Sequence, residues 1–315
     1  MNPWSEFWQQ GHPTTFGAYY KDGYQGPIRD WFENRLLEHT DVSSLLELAC
    51  GNGALLPMCL DLDLALEYQG VDIAEVNIPE AVKDRLDAAG AIKANLLGNT
   101  SIEMLPFSDK HFSLGCSVFG IEYSKIEKSI PELGRVLNED GAFLGVIHHA
   151  ESVVCHMSAR AVNEYNMNEV RDFLEQLQII TQQSKMAGDL QALSRNPKAE
   201  KARKKVNQYA EKYLSNTDLS RANASMFEFV SRGLQFFKIL GHGPQVANRF
   251  IRRVYEETLA TRERHMQMCS VALPQKGIDR FVQILGDTGF GSTDVSILRD
   301  DKSIIGWAIC AYKKS

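Results

Sequence analysis

The sequence predicts a three-layer α/β fold, a mostly parallel sheet covered on both faces by helices, with an all-helical insertion. Three observations predict it. Between residues 42 and 150, short apolar runs alternate with stretches of helical spacing, the pattern of strands joined by crossover helices. Over residues 151–270, apolar residues recur only at helical spacing. The chain then closes on two strand-like runs joined by Arg299-Asp300-Asp301-Lys302, which reads as an antiparallel hairpin.

Residues 1–40 are aromatic and broken by glycine: Trp4, Phe7, Trp8, Phe16, Tyr19, Tyr20, Tyr24, Trp31 and Phe32. Helical spacing sets in over 28–38. This segment reads as aromatic packing onto a neighbouring domain or as a lid over a ligand site, and the two are compatible. The apolar runs 43–49, 66–73, 91–96, 112–120 and 141–148 are the expected strands, and 79–89 and 126–137 are helices between them. In 151–270 the spacing of Val170, Phe173, Leu174 and Leu177, then of Met226, Phe229 and Val230, predicts four or five helices. Gly188, Asn196-Pro197, Asn216 and Gly241-His242-Gly243-Pro244 punctuate them. A helix over 274–289 precedes the hairpin runs 293–298 and 304–312. The expected organisation is an aromatic cap (1–41), a core domain (42–150 with 270–315) and a helical insertion (151–269).

The chain has 315 residues, 44% hydrophobic and 23% charged, which excludes a disordered chain or a disulfide miniprotein. Its net charge of −6 argues against a nucleic-acid partner. That charge is unevenly spread. Residues 151–270 hold 18 basic and 13 acidic side chains, the remainder 16 and 27. The six cysteines (Cys50, Cys59, Cys116, Cys155, Cys269, Cys310) show no CxxC spacing, so no metal site is expected. With no signal-peptide pattern and no long apolar stretch, a cytoplasmic protein without a membrane partner is expected.

The chemistry-bearing motifs lie at strand ends. Leu45-Leu46-Glu47-Leu48-Ala49-Cys50-Gly51-Asn52-Gly53 is a buried strand, an acid, then a G-x-G turn entering a helix. Leu56 stands where a dinucleotide fingerprint would place its third glycine, and Glu47 would repel a pyrophosphate but suit a cationic ligand. Asp72, in Gly70-Val71-Asp72-Ile73 at the end of the second run, can accept both hydroxyls of a ribose, with Ile73 beside a purine face. These segments, with Met104-Leu105-Pro106-Phe107-Ser108-Asp109 and Arg135-Val136-Leu137-Asn138-Glu139-Asp140-Gly141, resemble in order the motifs of class I S-adenosylmethionine (SAM)-dependent methyltransferases.

The resemblance covers 42–150 and 274–315. It implies a seven-stranded sheet with an antiparallel last strand, and SAM as cofactor. It further implies that Glu47, Gly51, Asn52 and Gly53 meet the methionine moiety, Asp72 the ribose, and Ile73, Ile102 and Glu103 the adenine. Phe119 would pass beneath the methionine end. The sequence departs from the family in having Glu47 for the commoner aspartate and Phe112-Ser113 for Phe-Asp.

The acceptor should lie beyond the fourth and fifth strands. The Asn/Asp-Pro-Pro-Tyr/Phe sequence of amide and exocyclic-amine methyltransferases is missing there. Glu122 and Tyr123 are candidate substrate contacts, with helix capping or packing as the alternative. His148 and His149 are candidate general bases, although adjacent strand residues face opposite ways. On this basis a small-molecule acceptor is expected, with O-methylation preferred over N-methylation. The alternative is a non-catalytic SAM-binding regulatory or scaffolding protein. The insertion, with its basic run Lys198, Lys201, Arg203, Lys204 and Lys205, reads as a substrate lid or as the interface of a homodimer.

Overall fold

A computed structural model describes residues 2–314 other than 18, 19, 21, 40, 41, 188, 189 and 216–222. Tyr19, Gly188 and Asn216, used in reading the sequence, lie outside the described residues. In chain order the elements are α1 (Pro3–Trp8), α2 (Pro27–Glu38), β1 (Ser44–Leu48), α3 (Leu56–Asp61), β2 (Glu67–Val71), α4 (Glu80–Ala89), β3 (Lys93–Leu97), β4 (Phe112–Val118), α5 (Ile126–Val136), β5 (Leu137–Ile147) and α6 (Val153–Glu164). Then come α7 (Met167–Ala187), α8 (Leu190–Ser194), α9 (Pro197–Ala210), α10 (Ala224–Leu234), α11 (Phe236–Ile239), α12 (Pro244–Val271), α13 (Gln275–Asp287), β6 (Phe290–Asp300) and β7 (Ser303–Lys313).

The strands form one sheet in the order β3-β2-β1-β4-β5-β7-β6, with β7 antiparallel to both neighbours and the remaining pairs parallel. It is the seven-stranded sheet that the resemblance implied. Alternation along the strands builds a core on each face. Leu45, Leu114, Cys116 and Leu144 pack with Phe32 of α2, Met58 of α3 and Val82 of α4. Leu46, Leu48, Phe143 and Ile309 pack with Leu133 of α5 and Phe281 of α13. β1 pairs with β2 on one side and β4 on the other, so the strand order reverses there. A crevice at the carboxyl ends of these strands follows from that reversal.

β5 begins at Leu137, earlier than the apolar run suggested. Phe112 pairs with Leu137 and Leu114 with Ala142, so a register shift lets polar residues 138–140 extend the strand without entering the core.

Contacts divide the chain into two compact units, Met1–His156 with Gln267–Ser315, and Met157–Met266. The second unit is wholly helical among its described residues. Its core joins Val170, Phe173 and Leu177 of α7 to Val206 of α9, Val230 of α10 and Ile251 and Val254 of α12. It holds more pieces than the four or five expected helices. Asn196, for one, stops α8 and caps α9 with its side chain, accepting from the amides of Lys198 and Ala199. Among the described residues no helix is long and apolar enough to cross a membrane.

Candidate functional site

The crevice is marked by backbone that ordinary residues avoid. Ala49, Gly51 and Gly53 follow β1 with φ of 51°, 52° and 84°, and Phe119 follows β4 with φ of 52°. Left-handed backbone costs a non-glycine residue about 1–2 kcal/mol, and such strain persists where the surroundings enforce it. Ala49 and Phe119 bear it at the ends of neighbouring strands. A Cβ on Gly120 would lie 2.7 Å from the Ala49 Cβ, so the two strand ends approach closely. Ala49→Gly is therefore expected to raise stability by roughly 0.5–1 kcal/mol, the relieved strain less the added chain entropy. Chemical denaturation would check this.

A cavity of about 430 Å³ opens here, with Ala49, Asp72, Ile73, Phe119 and Gly120 on the sheet side. The Asp72 carboxylate accepts the amides of Gly51 (2.8 Å) and Ala74 (2.7 Å) and is 6% exposed. Burial raises its pKa against the lowering effect of those two N–H groups. Each oxygen keeps lone-pair capacity for a further donor. Ile73 stands exposed at the rim.

Residues of the N-terminal segment complete the cavity. Asn2 caps α1 by accepting from the Trp4 amide, and Pro3 suits its first turn. Asn2, Pro3, Trp4, Trp8 and Thr15 line the cavity, opposite Gln267 and Val271 near the end of α12. The Trp4 indole donates to Gln267 (2.9 Å) and meets Tyr123 edge-on at 5.5 Å.

Tyr123 lies in the short helical turn after β4 and also lines the cavity. Its hydroxyl is 3.4 Å from His148 Nε2, and the His148 ring stacks on Phe119 at 4.5 Å. Glu122 Oε1 accepts the His148 amide at 2.8 Å. Glu122 Oε2 and His148 Nδ1 are buried without a protein partner. Burial pushes the Glu122 carboxyl up to about 8 and His148 down to about 3, so both are predominantly neutral at pH 7.

Between about pH 4.5 and 8 folded Glu122 keeps a proton that the unfolded chain has lost, so its contribution to stability fades as pH rises. Glu122→Gln removes that dependence. Its stability relative to the parent should grow across this window by up to about 1.4 kcal/mol per pH unit. Denaturant titrations at a series of pH values would check it.

Residues 46–145, about a third of the chain, match the family model for a methyltransferase domain. This segment is a methyltransferase domain. The family that this model describes binds SAM. No curated protein matches the chain. Among solved structures, geranyl diphosphate C-methyltransferase from Streptomyces coelicolor is 13% identical, over 38% of this chain and 46% of that one, with a TM-score of 0.31. The CMeT domain of the citrinin polyketide synthase is 12% identical, over 90% and 52%, with a TM-score of 0.44. A Methanococcus maripaludis protein assigned as a SAM-dependent methyltransferase is 12% identical, over 92% and 86%, with a TM-score of 0.40. The chain spans about half the length of the first two.

The residues singled out from the sequence separate in the structure. Gly51, Asp72, Ile73, Phe119, Tyr123 and His148 converge on or beside the cavity. Glu47 is buried instead against the β2–α3 side. It accepts from the Tyr68 hydroxyl and the Leu55 amide, and burial raises its pKa well above the usual range. Gly53 turns the chain into α3, donating to the Cys50 carbonyl at 3.0 Å. Ile102 is core, and Glu103 accepts the Lys125 amide before α5. His149 accepts the Glu151 amide and packs on Trp307 at 4.3 Å, outside the cavity lining.

Thr15, Ala49, Gln267 and Val271 were not singled out from the sequence. Ala49 had a signal, since 49, 51 and 53 alternate in one turn. The other three had none. A SAM-sized ligand suits this donor and acceptor set. The cavity sits at the lower end of the roughly 300–1,000 Å³ usual for small-molecule sites, with Asp72 and Gly120 on its wall.

Proposed function

We propose that the protein methylates a hydroxyl oxygen of a small-molecule acceptor. The observation behind this reading is the Tyr123 hydroxyl on the cavity wall, 3.4 Å from the neutral His148 Nε2. When bound, SAM supplies the activated methyl group. Asp72 would receive the ribose hydroxyls, and Ile73 would lie along the adenine. Phe119, Gly120 and Ala49 would shape the methionine end.

An oxygen nucleophile must lose a proton during transfer, whereas an amine arriving neutral need not. In this reading the acceptor hydroxyl gives its proton to the Tyr123 oxygen as Tyr123 gives its own to His148 Nε2. An imidazolium in this buried place would be costly in isolation. It forms, however, as the positive charge at sulfur disappears, so the site's net charge is conserved through the step. The Glu122 carboxyl, bonded to the His148 amide, holds that backbone in place. The remaining duty of the protein is alignment, which is what an aromatic-walled cavity supplies.

The test is to incubate the protein with methyl-labelled SAM and pooled small molecules bearing hydroxyl or amino groups. A methyl ether product supports the reading. Exclusive N-methyl products, or SAM binding without transfer across the pool, would overturn it.

A further inference from the structure

Asn52 stands in the glycine turn, where the family resemblance would put a cofactor contact, yet its side chain is spent elsewhere. Nδ2 donates to the Trp8 carbonyl (2.8 Å) and the His12 carbonyl (3.0 Å), and Oδ1 accepts the Asn77 amide (3.0 Å). The residue is 2% exposed. Both amide protons and the oxygen thus tie the end of α1, and the turn after it, to the loops following β1 and β2.

The fastened element covers the cavity. A Cβ on Gly51 would fall 2.4 Å from the Trp8 ring, so that indole rests directly on the glycine backbone. Phe7 and Trp8 form a small cluster with Ala74, two residues beyond Asp72. Two exposed ties lie on the outer side of α1. Ser5 Oγ accepts the Glu75 amide (3.0 Å), and Gln9 Nε2 donates to the Glu75 carboxylate (2.7 Å). Asn52 is the buried tie among these.

We propose that Asn52 is a positioning residue that latches α1 over the cofactor cavity, with Trp8 as the door, and that SAM enters and leaves when this latch opens. The inference rests on the reading of the cavity as the cofactor site. Opening would expose the Trp8 and His12 carbonyls to water, which can replace the Asn52 amide, so a reversible release is chemically accessible. A ligand that reaches its site through a minor open population binds at a rate scaled by that population. Loosening the latch should therefore accelerate both arrival and departure. Loss of a direct contact would accelerate departure alone.

The experiment follows S-adenosylhomocysteine binding to the full chain by stopped-flow tryptophan fluorescence. Asn52→Ala and Asn52→Asp are compared with the parent. The second keeps the side-chain size and the bond from the Asn77 amide but offers no N–H to the two carbonyls. Association and dissociation rates should both rise at least about tenfold in each soluble variant, with the dissociation constant changing less than either rate. An unchanged association rate would overturn the latch, whatever happens to dissociation. Asp72→Ala in the same assay separates the two claims. If it binds as well as the parent, the cavity reading has failed. If it binds weakly while Asn52→Ala keeps the parent's rates, the latch alone has failed.

Discussion

Replacing Asp72 with alanine is expected to weaken S-adenosylhomocysteine binding at least about a hundredfold. In the proposed reading the carboxylate accepts two ribose hydroxyls while it already holds the amides of Gly51 and Ala74. Hydrogen bonds to a charged acceptor contribute about 1.5–3 kcal/mol each, so losing two, about 3–6 kcal/mol, exceeds the roughly 2.7 kcal/mol of a hundredfold change. The loss of the Gly51 bond would also loosen the turn after β1, adding to the effect. Asp72→Asn keeps one oxygen acceptor and should fall between the two. Titration calorimetry would measure it, and near-ultraviolet circular dichroism would establish that the variants remain packed.

The second large effect is on turnover. Tyr123→Phe and His148→Ala should each lower kcat by about a hundredfold, the lower range for a lost proton-transfer group, with little change in the KM for SAM. If the two groups act as one relay, the double variant should be scarcely worse than either single one. His149→Ala should leave kcat near the parent value, because that ring faces Glu151 and Trp307. A pH profile sharpens the point. His148 is held neutral down to about pH 3, so activity should show no histidine limb between pH 6 and 7. A limb there that vanishes in His148→Ala would contradict the proposed relay.

Much of the sheet was legible because its strands are apolar runs of the right length, ending in Gly51 and Asp72. Those two could be placed at one ligand since consecutive parallel strands present their carboxyl ends together. The start of β5 was not legible, because polar residues 138–140 belong to a strand only through a shifted register. Glu47 was visible as an acid beside the glycine turn. Its partner Tyr68 was not, and the pleat turns its carboxyl toward Tyr68 and the core. His148 and His149 looked equivalent in sequence. They part because successive strand residues face opposite sides, one meeting Phe119 and the other Trp307. Gln267 and Val271 reach the cavity from far along the chain, and nothing local to them signals it. Asn52 was singled out for its place in the turn, but the groups it bonds lie in the N-terminal segment and the loop after β2.

The most direct test of the account is a crystal structure with S-adenosylhomocysteine bound. The ribose hydroxyls should lie within hydrogen-bonding distance of Asp72 and the adenine against Ile73. The sulfur should point toward the wall formed by Tyr123 and Gln267. A ligand bound anywhere else, or one whose sulfur faces away from Tyr123, would contradict it.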